Sequence, residues 1–309
     1  MRDSLKSLME HCIGLKYSLP NTGSSIPKIT VSTLSDKCYQ VLTSDGDLSK
    51  IIYYGIIEYS FDESSIDLTK LDTLQKRALI SRMKFDRAAT EEQQLKYGFY
   101  GEVLLFLMLQ HFYGAETFIS RGHFYNPLES SETKGFDTYQ MLLKSDGSIE
   151  LWFGEVKFHK SFRTGVNQIL EKINISLSDD YLNKNFIAME DFETFVNSKV
   201  SISPILDAFR NNPTVNLAEV ARNNGMSFVY PMLVVFNDEG KSYDEIIKSV
   251  VDYTNNRFTQ LNINFSLEYS LFFILLPVSV AKDIKDQVRK WILSNQQVIR
   301  VSSSMFQGV

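Results

Sequence analysis

Two β-rich runs, 136–143 and 149–158, flank the tripeptide Ser145-Asp146-Gly147, and no other stretch of this 309-residue chain so restricts its fold. Residues two apart in a strand share a face. Leu151, Phe153, Glu155 and Lys157 therefore point one way, while Asp137, Tyr139, Met141 and Leu143 share a face of the preceding strand. A two-residue Asp146-Gly147 turn sets Asp137 opposite Val156 and mismatches the apolar faces. A three-residue loop, with Gly147 in the left-handed conformation that glycine tolerates, pairs Leu143 with Ile149 and Met141 with Leu151. It also pairs Tyr139 with Phe153 and Asp137 with Glu155. This second register yields one coherent apolar face, and it is the register expected.

The hairpin sits inside a longer α/β order. Residues 100–113 read as a buried helix, apolar all round from Val103 to Leu109, with Gly114 as a natural stop. A strand is expected over 116–121, a helix over 164–177 and a short strand over 230–236. A helix over 243–261, a strand over 269–278 and an amphipathic helix over 280–294 follow. This predicts an α/β fold with a mixed central sheet and flanking helices. Upstream, 51–61 is β-branched and aromatic and reads as a strand, and 68–87 reads as helical. A soft boundary near 75 divides an N-terminal accessory region, 1–75, from a main domain with a C-terminal α/β extension, 76–309.

Composition narrows the chemistry. The two cysteines, Cys12 and Cys38, cannot make a four-thiolate zinc site, and the four histidines show no ligand spacing. A metal site must then be built mainly from carboxylates. The longest nearly charge-free apolar run, 270–281, falls short of the roughly 18–20 residues a bilayer demands. Arg2, Asp3, Lys6 and Glu10 interrupt any leader-like start, so a soluble, cytoplasmic protein without membrane contact is expected. The net charge of −5 argues against a strong unaided grip on nucleic acid. Two local runs are basic nonetheless: 76–90, with Lys76, Arg77, Arg82, Lys84 and Arg87, and the acid-free 156–170.

Within the expected register Asp137 and Glu155 are cross-strand neighbours, with Cβ atoms about 5 Å apart. Two carboxylates so close repel unless a proton or a cation lies between them. Hard oxygen donors suit Mg²⁺ or Mn²⁺, and Lys157 on the same face is placed to position a water. Glu102, in the first turn of an otherwise apolar helix, is a third carboxylate for the metal or its water shell. The pair is expected to face that helix, and removing one acid is expected to relieve repulsion at little cost in stability. Lys160, Arg163 and Gln168 are candidates for contacting a DNA backbone. The acid-x-lysine pattern alone is weak, since it also occurs at Glu132/Lys134, Glu239/Lys241 and Asp283/Lys285. Only Glu155/Lys157 lies within a convincing strand. A salt-bridged hairpin without catalysis is the plainer alternative. No Walker-type loop and no Gly-x-Ser-x-Gly elbow occurs.

Glu102, Gly135-Phe136-Asp137 and Glu155-Val156-Lys157 together resemble the PD-(D/E)xK nuclease superfamily, with Phe136 where its motif has a nominal proline. That superfamily shares a core of helix, three strands, helix and strand, the order read here from about 96 to 278. The resemblance implies a restriction-endonuclease-like fold and metal-dependent DNA hydrolysis by Asp137, Glu155, Lys157 and Glu102. More narrowly, the arrangement resembles the HamA family, nuclease subunits of the Hachiman antiphage defence system. That likeness implies a helicase partner, HamB, which engages DNA and controls the nuclease. A non-catalytic DNA- or partner-binding subunit that keeps the nuclease-like fold is the alternative.

Overall fold

Alternation along the hairpin does set the centre of the molecule. The computed structural model describes residues 1–304 apart from 22, 24, 130, 259, 260 and 262. In chain order the first elements are α1 (Asp3–Cys12), β1 (Ile13–Leu19), β2 (Asp36–Val41), α2 (Asp45–Ser60), α3 (Leu71–Ser81), α4 (Glu91–Leu95), α5 (Phe99–Tyr113) and β3 (Glu116–Thr117). Next come β4 (Tyr125–Asn126), β5 (Ser131–Glu132), β6 (Thr138–Leu143), β7 (Ile149–Phe158), α6 (Phe162–Ser176), α7 (Asp179–Ala188), α8 (Ser203–Asn211) and α9 (Leu217–Asn223). The last are β8 (Met226–Asn237), α10 (Tyr243–Arg257), β9 (Tyr269–Val278) and α11 (Ala281–Ser304).

Among the described residues one seven-stranded sheet runs β1-β2-β9-β8-β7-β6-β3, with β4 and β5 pairing apart from it. The inner strands β2, β9, β8 and β7 are mutually parallel, and antiparallel pairs close both edges. The fold is therefore the mixed α/β sheet expected. The order helix, three strands, helix, strand is realised by α5, β3, β6, β7, α6 and β8. The β6–β7 register pairs Leu143 with Ile149, Met141 with Leu151 and Tyr139 with Phe153. Gly147 takes φ +85°, and Lys144 and Ser148 close the three-residue loop through a 2.9 Å backbone hydrogen bond.

Two apolar cores lie on opposite faces of the sheet. One joins Trp152, Val156 and Phe158 of β7 to Val103 and Leu107 of α5, Ile52 and Ile56 of α2, and Val288 of α11. The other joins Leu151 and Phe153 to Val166, Ile169 and Ile173 of α6, and to Ile247 and Val251 of α10. Strands buried on both faces by helices explain the near-continuous apolar runs in β8 and β9.

Several expected elements differ. Residues 51–61 are not a strand but most of α2, which starts at Asp45 behind an N-cap at Ser44 that accepts from the Asp47 N–H at 3.2 Å. This helix is enclosed by α1, α3, α5 and α11, and burial on most sides overrides the β preference of its isoleucines and tyrosines. Only Leu71–Ser81 of the 68–87 stretch forms an α-helix. The strand expected at 116–121 is shortened to Glu116–Thr117, because the chain turns into a 3₁₀ helix at Arg121–Phe124. The helix from 243 ends at Arg257, and part of the remainder lies outside the described residues. No helix among the described residues is long and apolar enough to cross a membrane. Across the boundary near 75, β1 and β2 extend the common sheet and α2 packs on α5 and α11.

Candidate active site

Asp137 stands one residue before β6, and its N–H donates to the Gly154 carbonyl at 3.0 Å, continuing the hairpin register so that it lies opposite Glu155. Its Oδ2 accepts from the Val156 N–H at 2.8 Å. The turn that delivers it is held by Phe136, fully buried among Tyr139, Phe153, Tyr181, Phe228 and Tyr230. The Phe136 N–H donates to the Tyr139 hydroxyl at 3.1 Å, and that hydroxyl donates to Asn185 at 2.5 Å. An aromatic anchor thus fixes the segment where the superfamily motif has proline, which has no N–H to donate.

Glu155 is fully buried on β7, and two lysines hold it. Lys157 Nζ donates to Oε1, and Lys172 Nζ from α6 donates to Oε2 at 2.5 Å. Burial and the Glu155 charge push the Asp137 carboxyl up to about 6, with Lys157 and Lys172 pulling the other way. For Lys172 burial is the largest influence and acts downward, yet Glu155 and Asp137 outweigh it and leave the ammonium raised. Tyr181 of α7 feels the same acids: burial first, then Glu155 and Asp137, push its hydroxyl to about 12.

The side of the sheet on which this pair sits corrects the expectation. Glu155 shares its face with Leu151 and Phe153 and meets α6, not α5. Val156 and Phe158 of β7 meet α5 at Gly101, where an added Cβ would stand 2.8 Å from Val156 Cγ2. Glu102 belongs to that α5 side and takes a hydrogen bond from the buried Tyr59 hydroxyl. Burial and the charge of Asp137 push Glu102 up to about 8, so it is near enough to couple to the pair electrostatically. Among the described residues no three His, Cys, Asp or Glu side chains converge into a metal-holding group. Asp137 and Glu155 fit a hard divalent cation in kind, as adjoining buried oxygen donors whose repulsion already raises one of them. Glu102, hydrogen-bonded to Tyr59, fits a position beside such an ion rather than on it.

Two residues near the acids carry no motif signal. Arg121 is buried and stacks on Phe124 and Tyr139, with Nη2 donating to the Thr133 carbonyl at 3.0 Å. Its Nε and Nη1 have no hydrogen-bond partner among the described residues. Lys172 lies four residues after Gln168, on the same helix face, and that spacing is the signal that could have found it.

A cleft of about 370 Å³ opens beyond the end of β7, lined by residues that include Lys157, Lys160, His159 and Gln168. Lys160 and Gln168 are thus brought to one place, with Gln168 Oε1 2.9 Å from His159 Nε2. Arg163 does not line the cleft, since its guanidinium lies over the rings of Phe162 and Tyr253 at 5.5 and 5.6 Å. In the other basic run, Arg77 and Arg82 rest on the ring of Phe61.

No curated protein and no solved structure matches the chain. The HamA family model matches residues 24–292, spanning the sheet from β2 to β9, most of both apolar cores and every residue of the acid site. By that match the chain belongs to the HamA family, that of the Hachiman defence protein.

Proposed function

We propose that this chain is a divalent-metal-dependent nuclease of the PD-(D/E)xK type that hydrolyses DNA phosphodiester bonds as the effector of an antiphage defence complex. The observation that supports it is the pairing of Asp137 with Glu155 at the start of β6, with Lys157 bound to the second acid. Asp137 and Glu155 would hold Mg²⁺ or Mn²⁺. When bound, that ion supplies Lewis-acid polarisation of a phosphoryl oxygen and a water of lowered pKa. Lys157 aims its ammonium at the attacking water and at the charge that develops on phosphorus-bound oxygen. Lys172 fixes the Glu155 carboxylate in direction. Glu102, protonated through most of the neutral range, keeps a proton-bearing oxygen beside Asp137. The net charge of −5 suits a chain to which a helicase partner brings the DNA.

The test is cleavage of single- and double-stranded DNA by the purified chain with Mg²⁺ or Mn²⁺, with and without the helicase. Metal-dependent cleavage that Glu155→Gln removes is the expected result. Metal-independent cleavage, or cleavage unaffected by Glu155→Gln, overturns the reading. One observation favours a second reading, a binding subunit without catalysis: Glu155 already has two ammonium partners and Glu102 a hydroxyl donor. In that case neither metal binds, and the helicase complex forms without any cleavage.

A further inference from the structure

The cleft beyond β7 is lined by five lysines, Lys96, Lys157, Lys160, Lys282 and Lys285, and by no carboxylate. In a chain with more acids than bases this is a local excess of positive charge that solvation of separate surface lysines does not explain. Lys285 marks the site most clearly. It leaves the first turns of α11, donates to the Phe158 carbonyl at 2.7 Å and lies over the Phe158 and Tyr100 rings at 4.9 and 5.8 Å. Among the described residues no carboxylate forms an ion pair with Lys285, Lys282 or Lys160, whereas Lys96 pairs with Glu92. An ammonium has three N–H donors; the Phe158 carbonyl takes one of Lys285's, and the Leu95 carbonyl takes a second at 3.5 Å. Burial without a counter-charge holds this ammonium at about 8, the condition that an anion in the cleft relieves.

We propose that this cleft is a phosphate-binding subsite, with Lys285 at its base, that takes the sugar–phosphate backbone of the nucleic acid next to the bond addressed by Asp137 and Glu155. The proposal rests on the nuclease reading for its substrate. Lys157 belongs both to the cleft lining and to the acid site, and so joins the two. Lys160 and Lys282, both exposed, stand at the rim, where they meet neighbouring phosphates. A free phosphate or a mononucleotide carries the same chemistry, and the experiment separates these sources.

Binding of labelled single- and double-stranded oligonucleotides to the full chain is measured by fluorescence anisotropy in EDTA over a range of salt, so that no cleavage intrudes. Lys285→Gln is expected to weaken binding about 3–10-fold and to lower the salt slope by about one. Lys285→Arg is expected to retain most of the affinity, and Lys248→Gln on α10 to change nothing. If Lys285→Gln does not fold, the Lys160→Gln/Lys282→Gln double variant carries the same expectation. Unchanged affinity and slope in the folded variants overturn the subsite. Stabilisation of the chain by millimolar inorganic phosphate, lost in Lys285→Gln, with no oligonucleotide binding at all, overturns the nucleic-acid source. A Mg²⁺ cleavage assay on the same proteins keeps the two readings apart. Lost binding in Lys285→Gln with no cleavage by any form upholds the subsite against the nuclease reading. Cleavage by the parent chain, with unaltered KM in Lys285→Gln, upholds the nuclease against the subsite.

Discussion

At the scale of single residues, the acid pair and Lys157 were legible because two strands and a turn suffice to place them, and Lys172, which comes from α6, was not. Glu155 was expected to be a destabilising charge, but Lys157 and Lys172 compensate it. Glu155→Ala should therefore cost stability, by about 1–3 kcal/mol, less than a fully enclosed pair because both ammonium groups reach water. A urea titration checks this, and an unchanged midpoint would count against the lysine clamp. Lys157→Ala should reduce single-turnover cleavage by about 100-fold or more while melting within a few degrees of the parent chain. Normal cleavage in that variant removes Lys157 from the mechanism. Glu102 makes a prediction about pH. Its carboxyl rises from 4.5 to about 8 on folding, so between those values the folded chain binds the extra proton and stability falls as pH increases. The loss is about 1.4 kcal/mol for each pH unit in which Glu102 is protonated folded and ionised unfolded. Melting temperatures from pH 5 to 8 should decline less steeply in Glu102→Gln, and parallel profiles would refute the assignment.

At the scale of elements, what was readable depended on whether burial is one-sided. The β6–β7 hairpin shows period two and a turn glycine, so its register followed from the pattern. Gly147→Ala isolates that turn. Nothing stands within 4 Å of the added methyl, so its cost of about 1–2 kcal/mol is purely the price of a left-handed alanine. A larger loss in equilibrium unfolding would mean that the loop does more than set the register. α2 deceived for the opposite reason: an element enclosed by four helices has no polar face to reveal its period. The side of the sheet faced by Glu155 was misread because alternation tells which residues share a face, not which helix covers it. That depends on α6 following β7 directly and returning across the Leu151 face, a three-dimensional fact that spacing does not hold.

At the scale of the whole molecule, the N-terminal 75 residues take part in the same fold as the acid site. β2 covers the edge of β9 through Lys37 and Cys38, opposite Ile274 and Leu275, and α2 covers α5. A fragment of 76–309 should expose that strand edge and a broad apolar face, and lose its cooperative melt. A sharp thermal transition and a monodisperse elution for the fragment would show instead that the main domain is autonomous. The pairing of β2 with β9 also has a consequence in time. The Phe273 N–H that donates to Asp36 lies 237 residues further along the chain. At synthesis rates of about 5–20 residues per second, the β1–β2 hairpin waits on the order of 10–50 s for its neighbour. β7 likewise waits for β8, whose Met232 and Leu233 flank Glu155 and Val156. While it is being translated, a half-made chain has neither a closed sheet nor a buried Glu155. The acid site is thus assembled only after β8 has been made, and not while β6 and β7 stand alone.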